Sequence, residues 1–156
     1  MRPVLYLRIA SVLTLIHAVL HTIGGVFGKP PAGPAAMVAA TMQAYRFPVL
    51  GVMRSYFDFY RGMGLGITVA LTMDAAIFWL LASLAKSDAA RLRPILAVFL
   101  MGYLALAVNS YTFFFSWPVI AELLIALCLA AAILTAKHAV ESETHTHRAE
   151  LKTAQS

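Results

Sequence analysis

The chain has 156 residues, 61% hydrophobic and only 12% charged, with a net charge of +5 and a mean hydropathy of +0.79. A soluble domain carries about 25% charged residues, so the composition excludes an ordinary water-soluble globule and points to a surface that faces lipid. The Lys and Arg residues sit in short loops and near the ends, which reads as topology and headgroup contact and argues against a nucleic-acid partner.

Residues 4–27 form the first apolar run long enough to cross a bilayer, and they carry His17 and His21 on one helix face, one turn apart. Arg2 and Arg8 followed by an apolar stretch also suit a cleavable leader. The run exceeds the usual apolar core of about 7–15 residues, and no small-residue cleavage pattern follows Phe27, so a retained span is expected. Gly24, Gly25, Gly28 and Lys29-Pro30-Pro31 end it in a loop. Gly33-Pro34 then opens a short helix over 35–46. Its apolar positions Met37, Val38, Met42 and Tyr45 predict a helix lying in the membrane interface, or one folded over the mouth of a bundle.

Pro48 ends that segment. The second span, over 55–85, is longer than a perpendicular crossing needs, so it is tilted or projects beyond the membrane. Gly62 and Gly66 form a G-x-x-x-G step that allows close helix approach. After a polar turn at 86–93, the third span covers 94–115 and the fourth 118–137. The connection Ser116-Trp117-Pro118 is short enough to make these an antiparallel hairpin. Tyr111, Phe113, Phe114, Phe115 and Trp117 suit an interfacial aromatic belt. Residues 138–156 are a polar tail in which His145 and His147 read as solvated residues rather than metal ligands. Cys128 is the single cysteine, which excludes an intramolecular disulfide and thiol-pair redox chemistry. The expected fold is all-α: one integral membrane four-helix bundle over 1–137, with an interfacial helix between the first two spans.

Four spans put the N-terminus, the 86–93 turn and the tail on one side. That side holds Arg2, Arg8, Lys86, Arg91, Arg93, Lys137, Arg148 and Lys152, against Lys29, Arg46, Arg54 and Arg61 on the other. The excess predicts a multi-pass protein of the cell inner membrane with both termini in the cytoplasm.

Depth can then be assigned at 1.5 Å per residue. His17 falls near the midplane. His21, Asn109 and Glu122 fall together in the outer half, and Asp58 and Arg61 descend from the outer rim. Asp58 and Arg61 are spaced i, i+3, which predicts a salt bridge at the mouth. Asp74, midway along the second span, stands apart; it serves a separate site, pairs with a hydroxyl such as that of Thr72 on a neighbouring copy or helix, or is held neutral. Intramembrane ionisable groups are costly and mark functional sites by default. The expected ligand-binding set is therefore His17, His21, Asp58, Arg61, Asn109 and Glu122. The plainer reading makes the two imidazoles hydrogen-bonded interhelical contacts. Two histidines at i, i+4 are half a metal site and would need Glu122 or Asp58 as well, so no metal is assigned and the cofactor is left open. Haem fits poorly, because both rings share one face.

The segments His17-Ala18-x-x-His21-Thr22-x-Gly24 and Tyr56-x-Asp58-Phe59-Tyr60-x-Gly62-x-Gly64, with Met42-Gln43 in the loop between them, resemble a group of small bacterial four-span membrane proteins of uncharacterised function. The resemblance covers the first half by motif and the second by hydropathy alone. It implies a four-helix membrane protein and no activity. No nucleophile elbow, phosphate loop, H-E-x-x-H or dinucleotide fingerprint is present. The residues thus predict an intramembrane polar cluster that binds or passes a small ligand or a proton in a lipid bilayer, with room for an oligomer. The alternatives are a structural or assembly subunit, and an enzyme using His21 and Glu122 as acid and base on a lipid-like substrate.

Overall fold

The computed structural model describes the backbone of residues 2–154 and the side chains of 2–136. The polar tail, with His145 and His147, lies outside the described side chains. In chain order the elements are α1 (Arg2–Leu20), a π-helical turn (His21–Val26), α2 (Pro34–Ala44), β1 (Arg46–Val49), β2 (Val52–Ser55), α3 (Tyr56–Asp88), a 3-10 turn (Ala90–Leu92), α4 (Arg93–Phe113) and α5 (Ser116–Ala154). Four helical segments are long and apolar enough to cross a membrane: Arg2–Val26, Tyr56–Asp88, Ala90–Phe113 and Ser116–Ala136. Leu5, Val12, Leu80, Val98 and Leu127 are exposed along them, as side chains bathed in lipid would be.

The chain divides into two compact units. The first takes residues up to Thr14 and from Asp74 onward. Its core draws on all four spans: Leu7 and Ala10 of α1, Phe78 and Ala82 of α3, Leu96 and Tyr103 of α4, Ile125, Leu129 and Ala132 of α5. Lipid tails are as apolar as leucine, so burial alone does not drive these helices together. Close van der Waals contact does, and alanines at the contact lines permit it. Phe78 meets Phe99 edge-on at 5.0 Å between ring centres. Near the start of α1, the Arg8 guanidinium lies 3.3 Å over the Trp79 ring and donates to the Ser83 hydroxyl at 3.2 Å.

The second unit is Leu15–Met73. Here α1 widens into the π turn just where glycines 24 and 25 follow, and Phe27 N–H closes the turn on the Thr22 carbonyl. Pro34 stands in the first turn of α2, where its missing N–H is no loss. Between α2 and α3 lies an antiparallel hairpin with Val49 opposite Val52. Its two turn residues, Leu50 and Gly51, both have positive φ, at 46° and 87°, the backbone of a type I′ turn. The sequence reading places no strand here, although the alternating Phe47, Val49, Val52 around a Leu-Gly pair is the signal that finds one.

The G-x-x-x-G reading needs correction. A Cβ added at Gly62 or Gly66 would meet open space, whereas at Gly64 it would lie 2.9 Å from Val26 Cγ2. Two residues turn a helix by about 200°, so Gly64 faces away from the other two and is the position where α3 and the π turn come close.

Candidate functional site

Polar side chains inside the first unit form a buried or half-buried set to which every span contributes. From α1, the Ser11 hydroxyl donates to the Ala75 carbonyl of α3 at 2.7 Å, and Thr14 donates to the Ala10 carbonyl of its own helix. From α3 comes Asp74, whose Oδ2 accepts from the Tyr103 hydroxyl of α4 at 3.1 Å. Glu122 of α5 accepts from the Ser110 hydroxyl of α4 at 2.9 Å through Oε1, while its buried Oε2 has no hydrogen-bond partner. Glu122 is 5% exposed, Ser110 4% and Tyr103 1%, so these groups are shut away from the surroundings of the protein. Ser110 and Tyr103 lie seven residues apart on α4, two turns along one face.

This arrangement revises the sequence-derived set. Asn109 is exposed, and its neighbour Ser110 points to Glu122 instead. Asp74 does pair with a hydroxyl, but that of Tyr103; Thr72 donates to the Thr68 carbonyl of its own helix. Tyr103 and Ser110 escaped the sequence reading because an aromatic or a hydroxyl in an apolar run looks like any core or lipid-facing residue. The seven-residue spacing between them was the available signal.

The second unit holds the histidines. His21 opens the π turn, and its Nε2 lies 3.0 Å from the Gly64 carbonyl. A carbonyl only accepts, so Nε2 carries the hydrogen and Nδ1 is left as an acceptor in the neutral ring. Gly25 leaves room beside that nitrogen, since a Cβ there would sit 3.3 Å from it. Thr22 donates to the Ala18 carbonyl and meets the Thr68 hydroxyl at 2.9 Å. The Tyr60 hydroxyl donates to the Gly25 carbonyl at 3.2 Å. His17, one turn before His21, is half-buried, and its Nδ1 has no partner. Beside these groups runs a shallow groove of about 190 Å³ lined by Leu15, Ala18, Val19, Thr22, Ile23, Thr68 and Thr72. π-helical turns recur at functional sites, where they re-aim side chains.

Asp58 and Arg61 do not form the expected salt bridge. Among the described residues the ion pair present is Arg91–Asp88, at 2.9 Å. Asp58 instead caps α3: it accepts from the Ser55 N–H at 2.8 Å, while the Ser55 hydroxyl accepts from the Asp58 N–H at 3.1 Å. This reciprocal box satisfies backbone donors that a helix start leaves open. Arg61 turns the other way, with its guanidinium carbon 5.0 Å from the Phe57 ring centre and 5.6 Å from that of Phe27. Capping outcompetes the pair because the Ser55 N–H lies within reach of the short Asp58 side chain, whereas a pair with Arg61 would also have to order the long arginine.

Among the described residues no group of three or more His, Cys, Asp or Glu side chains has metal-holding geometry. No protein-family model, curated protein or solved structure matches the chain.

Proposed function

We propose that the chain is an integral inner-membrane protein whose four spans form a bundle with both termini in the cytoplasm, and that it binds a small ligand or a proton at Glu122. The observation that carries this reading is the state of that carboxyl group. One oxygen accepts from Ser110, the other is buried without a partner, and the residue lies within a span. A buried polar atom without a partner costs free energy, and a carboxylate there needs a proton, a cation or a donor on a ligand. The pair Tyr103–Asp74 supplies a second carboxyl group in the same unit. Intramembrane carboxyl groups of this kind mark proton paths.

The test is infrared difference spectroscopy of the purified protein across a pH titration. The expected result is a carboxylic-acid carbonyl band that titrates and disappears in Glu122→Gln, with Asp74→Asn removing a separate band. A spectrum unchanged by Glu122→Gln would overturn the reading.

A second reading has its own support. Tyr103–Asp74 and Ser110–Glu122 both join side chains on different helices, which also suits a structural or assembly subunit whose polar residues fix packing. It predicts loss of stability in these variants with no titrating carboxyl group. Membership of the small four-span group rests on the H-x-x-x-H-T-x-G and Y-x-D-F-Y-x-G segments, and an interfacial position for α2 on its having no fully buried residue.

A further inference from the structure

The hairpin between α2 and α3 carries two features that nothing within the unit explains. Leu50 at its tip is fully exposed, at 102%, and has a φ of 46°. A branched apolar residue in the left-handed region is disfavoured by its own backbone, and here it gains no packing in return. Asn or Gly would suit the turn better. The second feature is a pair of cations. Arg46 and Arg54 stand on opposite strands, yet both guanidinium groups donate to one acceptor, the Met53 carbonyl, at 3.1 Å and 3.2 Å. Among the described residues neither makes an ion pair within salt-bridge distance; the Asp58 carboxylate, which feels both charges, is itself held by Ser55. Two positive charges thus converge beside a tip made only of Phe47, Pro48, Val49, Leu50, Gly51, Val52 and Met53, and the hairpin runs directly into a span at Tyr56.

We propose that this hairpin is a phospholipid clamp: Leu50 enters the acyl layer, and Arg46 with Arg54 binds the phosphate of an anionic headgroup. An exposed leucine is rewarded by hydrocarbon, and paired guanidinium groups match a phosphate geometrically as well as electrostatically. Tyr45, Phe47, Tyr56 and Phe59 stack into one aromatic cluster at the base, with Phe47 and Tyr56 ring centres 4.8 Å apart. Aromatic side chains collect at headgroup depth. The inference rests on the membrane reading of the spans and is independent of any role for Glu122.

The experiment uses the full chain in nanodiscs, with Cys128→Ser and Leu50→Cys and an environment-sensitive fluorophore attached at position 50. Discs are made of phosphatidylcholine alone or with phosphatidylglycerol. The expected result is blue-shifted emission, quenched by lipids brominated on their chains, and stronger in the phosphatidylglycerol discs. Each of Arg46→Gln and Arg54→Gln should lower the phosphatidylglycerol preference about fivefold, and the double Arg→Lys variant, which keeps the charge and loses the planar fork, should fall between the native chain and the double Arg→Gln variant. Water-like emission in both discs would overturn the proposal, as would a preference that survives removal of both arginines. If inorganic phosphate added to phosphatidylcholine discs reproduced the effect, the site would take a free anion and the lipid assignment would fall.

Discussion

In the unit built on Phe78 and Leu129, three polar contacts join side chains on different helices, Arg8 to Ser83, Tyr103 to Asp74 and Ser110 to Glu122. In Leu15–Met73 polar side chains mostly turn to the main chain: His21 to Gly64, Tyr60 to Gly25, Ser55 to Asp58 and back, Arg46 and Arg54 to Met53. The backbone of the first unit is helical wherever it supplies the core: a hydroxyl can share a helix carbonyl, as Ser11 does with Ala75, but the main-chain N–H groups are taken, so a buried carboxyl group must find a side-chain donor. The second unit breaks its backbone with a π turn, a glycine-rich loop and a hairpin, and so has free main-chain groups to offer. The lesson is that an open helix start absorbs a carboxylate, that of Asp58, which would otherwise be available for chemistry. The carboxyl groups left for function are those in the regular unit.

Tyr103 should give the largest effect. It is almost completely buried, so Tyr103→Ala should cost about 3–5 kcal/mol, read by unfolding in mixed detergent. Tyr103→Phe keeps the ring and loses the bond to Asp74, for about 1 kcal/mol. Equal losses in the two variants would mean that the hydroxyl, not the packing, holds the unit together. In the second unit the comparable lever is backbone approach. Gly64→Ala should cost about 1–3 kcal/mol through its clash with Val26, and Val26→Ala should restore much of it. A neutral Gly64→Ala would place the close contact elsewhere.

Capping gives a smaller effect. Ser55→Ala should cost about 1 kcal/mol and speed hydrogen exchange in the first turn of α3, leaving exchange in α4 and α5 unchanged. The smallest effect concerns Asp58 and Arg61. Because Asp58 caps and Arg61 lies on aromatic rings, the double variant Asp58→Asn with Arg61→Met should equal the sum of the singles within error. A favourable coupling between them would restore the ion pair and weaken the contrast drawn here.

Length and hydropathy were enough to find four helices long and apolar enough to cross a membrane, because about 20 apolar residues have few other stable environments than lipid or a large core. The places of Glu122, His17 and His21 within long apolar helices were equally legible, since a polar residue in an apolar run is visible without a structure. What each of them touches was not. Helical spacing places a side chain on its own helix, but the partner depends on the rotation and offset of a second helix, which packing decides. That is why Ser110 rather than Asn109 meets Glu122, why Tyr103 meets Asp74, and why Gly64 rather than Gly62 or Gly66 marks the close approach. Asp58 illustrates the limit most clearly: its i, i+3 neighbour Arg61 was plain in the sequence, and only the folded hairpin leading into α3 brought the Ser55 N–H close enough to take the carboxylate first.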